Sequence, residues 1–190
     1  MTEEEKIFAG KMFDPRSEEL RQIKHKAHEA CRRYNTLDEY DPERQELMRS
    51  ILGSTGKTFY FQGPVQINYG SHTFIGENFF ANYNCVILDC APVTFGDNVF
   101  IAPNCGFYTA GHPLDYPTRN ALLEFAKPIT VGDNVWIGGN VVVLPGVTIG
   151  SGSVIGAGSV VSRDIPENVL AVGNPCRPIR SINPEDRRML

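Results

Sequence analysis

A chain of 190 residues, 42% of them hydrophobic, is long enough for one substantial domain with a small appendage and lies outside the composition of disordered proteins. Its formal net charge of -4 and pI near 5.6 leave no broad basic field, so release of phosphate counterions cannot drive strong binding to nucleic acid. Glu3, Glu4 and Glu5 stand where a signal peptide needs positive charge, and no later stretch is apolar for long enough to cross a bilayer, which predicts a cytoplasmic protein with no membrane partner.

The first part of the chain, residues 1–57, is charged and almost free of glycine, and reads as a helical segment. Ile7, Phe8, Met12 and Phe13 form a short amphipathic turn of helix that Pro15 interrupts. Ser17 followed by Glu18 and Glu19 starts a second helix, with Leu20, Ile23, Ala27, Ala30, Cys31 and Tyr34 on one stripe. A third begins at Asp41 and Pro42, places Leu47, Met48, Ile51 and Leu52 on one side, and stops at Gly53. Three short helices cannot bury a core alone, so they must lie against the rest of the chain or a neighbouring subunit. The five cysteines are odd in number and lack CxxC spacing, which argues for reduced apolar thiols rather than a disulfide framework or a zinc ribbon.

Residues 58–182 change texture to glycine, valine and isoleucine, and carry a period of six. From Val131 the chain reads VGDNVW, IGGNVV, VLPGVT, IGSGSV, IGAGSV, VSRDIP, with aliphatic residues at Val131, Ile137, Val143, Ile149, Ile155 and Val161. A second series, Val135, Val141, Val147, Ser153 and Ser159, follows four residues into each repeat. Neither a 3.6-residue helix nor an alternating strand gives this pattern. A triangular coil does: each face is a short strand, the aliphatic residue points inward, and glycine or asparagine takes the corner. Earlier coils repeat it less regularly, and the eight residues from Ile87 to Phe95 predict a local bulge around Cys90, Ala91 and Pro92. A segment of about 111–128 leaves the period altogether, and an excursion of that length from an unbroken coil is commonly functional. Residues 183–190 form a C-terminal tail.

His112 stands where the coil breaks into that excursion, in YTAGHPLD. A neutral imidazole there is suited to take the proton of an alcohol attacking a thioester; a histidine that merely caps a loop is the alternative. In order along the chain come FAGKMFD, NYGSHTFIGENFFANYNC, FGDNVFIAPN, TAGHPLD, ITVGDNVWIGGNVVVLPGVTIG, VIGAGSVVSRDIP and GNPCRPIR. Together these resemble the maltose and galactoside O-acetyltransferase family, over nearly the whole length.

The resemblance implies a mainly β fold, a left-handed parallel β-helix of hexapeptide repeats with a small helical N-terminal segment. It implies acetyl-CoA as co-substrate with no metal, a sugar hydroxyl as acceptor, a homotrimer, and His112 as the catalytic base. Matching positions put acceptor contacts on Asp14, Asn68, Asn82 and Asp89, all able to bond hydroxyls. This chain follows Asp89 with Cys90 where some members carry adjacent acidic residues, and Asn68 takes a place that serine can occupy. For the donor, Gly139 lets a ligand approach the backbone, Ala157, Ser162 and Arg163 match groove positions, and Arg177 and Arg180 suit phosphates. Trp136 either walls the groove or packs between subunits. Three other readings stay open: an amine acceptor on the same coil, a zinc site built from histidines, and a binding protein without catalysis.

Overall fold

The aliphatic series closes into a core: Val131, Ile137, Val143, Ile149, Ile155 and Val161 are each at most 1% exposed in the computed structural model, which describes residues 1–188. The second series is buried with them, and its two serines find partners, Ser153 donating to the Pro166 carbonyl at 2.7 Å and Ser159 to that of Gly156 at 2.5 Å. Asparagine and glycine divide the corner work. Asn134, Asn140, Gly146, Gly152 and Gly158 take the positive φ of the turn, whereas the glycine after each aliphatic residue makes room for the coil above. A Cβ on Gly138 would lie 2.6 Å from the backbone nitrogen of Ala157, and one on Gly150 2.5 Å from that of Glu167.

The result is a parallel β-solenoid with three sheets as faces. The first face stacks Phe59–Phe61, Phe79–Ala81, Phe100–Ile101, Trp136–Ile137, Val154–Ile155 and Val169–Val172, and ends on the antiparallel Arg177–Ser181. The second stacks Val65–Ile67, Cys85–Leu88, Gly106–Tyr108, Val142–Val143 and Val160–Val161; the third stacks Thr73–Ile75, Val93–Phe95, Ile129–Val131 and Thr148–Ile149. In the early coils phenylalanine fills the prism, with Phe61, Phe79, Phe95 and Phe107 in a column of ring contacts at 4.9–5.2 Å. That filling explains why the six-residue pattern is fainter there.

The expected bulge at Cys90 to Pro92 takes the form of a lengthened corner, with the strand before it unbroken. Strand Cys85–Leu88 keeps an even register with both neighbours, and the same eight-residue spacing separates Ile67 from Ile75. The two extra residues lengthen corners 68–72 and 89–92, which stack at the edge between the second and third faces. The excursion 111–128 leaves the coil at that same edge, one turn further on.

Three helices lie against the coil, two sharing its core and the first packed at the lengthened edge beside Tyr69, Cys90 and Ala91. Helix α1 (Glu3–Phe8) carries a capping box in which Thr2 and Glu5 bond reciprocally, and it ends before Gly10 at φ 66, so Met12 and Phe13 lie outside it. Helix α2 (Glu18–Tyr34) is capped by Ser17, and α3 (Glu43–Ile51) starts after Pro42. The apolar stripe of α2 packs on the strand Val65–Ile67 and on α3; Ala27, Ala30, Cys31 and Tyr34 share the core of the coil, and Leu20 and Ile23 join a second cluster with Ile7, Phe13 and Tyr69. Polar ties fix the join: Asn35 exchanges two 2.9 Å bonds with the backbone of Val65, and the buried Arg44 donates to the Phe61 and Gln62 carbonyls while lying over the Tyr34 ring. Residues 1–57 are therefore built into the coil. At the other end, part of the expected 183–190 tail forms a 3-10 turn, Pro184–Arg188; residues 189–190 lie outside the described residues. Among the described residues no helix is long and apolar enough to cross a membrane.

Candidate active site

The excursion is a small hairpin rooted in the lengthened edge. Ala110–Gly111 pairs antiparallel with Phe125–Ala126, and helix α4 (Tyr116–Asn120), capped by Asp115, lies between them. Thr109 is buried at the root, donating to the Leu88 carbonyl at 2.7 Å and accepting from the Ala91 N–H at 2.9 Å. Gly111 is needed because the Phe125 ring covers it: a Cβ there would fall 2.5 Å from that ring. The N-terminal segment then crosses the hairpin, with Phe13 and Glu124 exchanging backbone bonds at 3.0 and 3.1 Å. Loop, edge and N-terminal segment thus converge on one cleft of about 260 Å³, whose wall includes Pro15, Lys24, Asn68, Cys90, His112 and Glu124.

His112 follows the short strand directly and its side chain is 53% exposed, facing Glu124 with Nε2 4.0 Å from Oε1. That distance is too long for a hydrogen bond and short enough for charge interaction. Burial pushes the Glu124 carboxyl above its ordinary value, with His112 and Lys24 acting in the opposite sense. A half-exposed imidazole beside a carboxylate in a cleft has access to a substrate proton and a partner for the charge it gains. The other coil histidine has a carboxylate partner but no access: His72 is 2% exposed, with Nδ1 against the Asp89 and Cys90 carbonyls and Nε2 2.9 Å from Glu4. Among the described residues no cluster of three or more His, Cys, Asp or Glu side chains is placed to hold a metal ion.

The expected acceptor contacts separate. Asn68 reaches the cleft, where its amide donates to Cys90 Sγ at 3.3 Å. Asp14 lies beside the cleft residue Pro15, but its carboxylate is held by Arg16 through two 2.8 Å bonds, which pull it down to about 2. Asp89 is corrected: it is fully buried, and its oxygens accept from the N–H groups of Tyr69 and Gly70 at 2.7 Å and from the Thr73 hydroxyl at 2.8 Å. It holds the 68–73 corner, and its neighbour Cys90 meets the cleft instead. Asn82 sits at a different edge, between the first and second faces, beside Phe80, Phe100 and Trp136.

The expected donor contacts divide in the same way. Gly139 and Ala157 stack above Asn82 at the edge between the first and second faces, tied by the bond from Gly158 N to Gly139 O at 2.8 Å. Trp136 is 56% exposed on the first face. Ser162 and Arg163 are exposed at the His112 edge, and Arg177 and Arg180 are exposed at the end of the first face, where Asp186 already pairs with Arg180 at 2.6 Å. Sequence reasoning missed Glu124, Lys24 and Cys90. The signal for Glu124 was its position near the return of the excursion to the coil.

Known proteins share this architecture. A family model for the maltose acetyltransferase hexapeptide capping motif matches residues 6–56, and a model of six bacterial transferase hexapeptides matches residues 128–163. The galactoside O-acetyltransferase of Escherichia coli is 44% identical, covering 96% of this chain and 91% of its own. Among solved structures, a galactoside acetyltransferase in complex with coenzyme A has a TM-score of 0.95 at 44% identity, over 98% of this chain and 94% of that one. A maltose O-acetyltransferase from Clostridium difficile has a TM-score of 0.94 at 46% identity, over 96% and 98% of the two chains.

Proposed function

The chain belongs to the maltose and galactoside O-acetyltransferase family, and from that premise we propose that it moves the acetyl group of acetyl-CoA onto a sugar hydroxyl with His112 as general base. The observation that carries the assignment is the half-exposed imidazole in the cleft, facing Glu124, at the root of the excursion. In the reaction His112 takes the hydroxyl proton as the oxygen attacks the thioester carbonyl. Glu124 stabilises the imidazolium by its charge. Collapse of the tetrahedral intermediate forms the ester and releases the thiolate of coenzyme A, which recovers the proton from His112. Substrate positions remain those the fold offers: Asn68 and Asp14 near the base, Gly139, Ala157, Ser162, Arg163 and Arg177 for the donor.

The site is completed by a second copy. In one protomer His112 stands at the edge between the second and third faces, whereas Asn82, Gly139 and Ala157 line the edge between the first and second. A threefold ring with head-to-tail contacts brings one edge of each protomer against the other edge of its neighbour. The outward residues of the first face favour such burial: Tyr60, Phe80, Phe100 and Trp136 stand in register, with Phe100 49% and Trp136 56% exposed. The third face presents exposed Thr94, Thr130 and Thr148 in register, suited to water. The assignment is tested by His112→Ala, which is expected to lower thiol release with sugar and acetyl-CoA by about two to four orders of magnitude while the trimer persists. Near-normal turnover would overturn it.

A further inference from the structure

The cleft around His112 contains one cation that no carboxylate pairs with. Lys24 lines it, and among the described residues its ammonium makes no ion pair within 4.0 Å. The other polar groups of the wall are committed: Asn68 bonds Cys90 Sγ and has His28 on its other side, and Glu124, the one carboxylate among the lining residues, faces His112. A ligand entering the cleft therefore finds an ammonium that acts on Glu124 only at a distance and makes no close ion pair among the described residues.

The surface behind Lys24 adds Arg21 to that charge and carries further basic side chains. On α2, opposite the buried stripe of Leu20, Ala27, Ala30, Cys31 and Tyr34, the residues Arg21, His25, His28 and Arg32 recur at intervals of four, three and four. Arg32 pairs with Glu29, whereas among the described residues Arg21, Lys24 and Lys26 make no ion pair within 4.0 Å and outnumber Glu18, which keeps its charge beside the neutral Gln22. On a chain of net charge -4 such a concentration is local, so it does not reflect a generally basic surface.

We propose that the acceptor sugar carries an anionic group, a phosphate or a carboxylate, on the part that leaves the cleft beside Lys24, and that the basic stripe of α2 receives it. This rests on reading the cleft as the acceptor site. A bond between two opposite charges rewards such an acceptor, whereas a neutral sugar offers the ammonium only uncharged hydroxyl oxygens. Recognition through Lys24 is separate from the proton transfer at His112, so it acts on acceptor selection.

The test compares matched acceptors with all ring hydroxyls other than the anomeric one free: glucose 1-phosphate against methyl glucoside for the phosphate, and carboxyphenyl glucoside against phenyl glucoside for the carboxylate. At low salt at least one anionic member is expected to exceed its neutral partner in kcat/KM by about tenfold. The advantage should shrink at roughly 200 mM salt. Lys24→Gln and Arg21→Gln should each reduce the anionic-to-neutral ratio through KM. A ratio at or below one for both pairs overturns the proposal, as does a Lys24→Gln variant that loses activity equally on charged and neutral acceptors. Absence of thiol release with every sugar brings down the sugar reading itself, and this one with it.

Discussion

Asp89 offers a sharp test of how the cleft is built, because a contact with the acceptor and a buried structural role predict opposite phenotypes. In Asp89→Ala the N–H groups of Tyr69 and Gly70 lose their acceptor inside the protein, while the Thr73 hydroxyl is free to rotate. Each orphaned buried donor costs about 1–3 kcal/mol, so the two together cost about 2–6 kcal/mol. Set against a typical stability of about 5–15 kcal/mol, that loss is large, and the alanine variant is expected to express poorly. Asp89→Asn keeps one acceptor oxygen and sets an NH2 group against one N–H donor, for a cost of about 1–3 kcal/mol. Urea unfolding at fixed protein concentration measures the loss, and steady-state kinetics on the folded asparagine variant measures the site. Reduced stability with an acceptor KM within about threefold of the parent is the expected pair of results. An asparagine variant of parental stability whose acceptor KM has risen tenfold or more would show that Asp89 reads the sugar, and the description of the corner would be wrong.

Two further outcomes follow from the same geometry. Burial raises the folded-state pKa of Glu124 above its ordinary 4.5, so its favourable contribution is complete below that value and is lost as pH rises through the raised one; Glu124→Gln removes the dependence, and unfolding curves at several pH values should show the variant gaining on the parent as pH climbs. A gap that closes in the other direction contradicts the burial argument. Phe100→Arg places a charge in the middle of the apolar ladder between Phe80 and Trp136, and size-exclusion chromatography should report monomers with transfer lost alongside. An intact trimer with normal turnover would mean that another face makes the contact.

The late coils were legible residue by residue because each hexapeptide carries its own instruction: an aliphatic residue to fill the prism, a small one for the coil above, asparagine or glycine for the corner. The early coils obey the same geometry with phenylalanine as filler, and a larger side chain in fewer copies weakens the period without changing the fold. The N-terminal helices were visible from their caps and stripes, but the end of α1 was misplaced because Gly10, rather than Pro15, stops it. His112 could be singled out because a break in a repeat is itself a signal. Of its surroundings the sequence pointed to Asn68, but Lys24, Cys90 and Glu124 come from a helix, a corner and the return of the excursion, and only the folded chain brings three such distant positions to one wall.

Asp89 and Cys90 show why matching a family motif selects the wrong residue of that corner. In a stacked corner adjacent residues face opposite ways, one into the turn it supports and one outward, and sequence position cannot say which is which. The carboxylate is the residue that chemistry would choose for binding hydroxyls, yet the corner has two backbone N–H groups and a hydroxyl that need an acceptor once the lengthened loop folds over them. Asp89 supplies it and is sealed inside. The cleft is left with a thiol pushed up to about 12 by burial, too poor an acid to compete with His112 for the acceptor proton and too weak a hydrogen-bonding group to orient a sugar. Orientation then falls to Asn68 and the charged groups of the wall, and on the reading proposed above Lys24 is the group that sorts acceptors by charge.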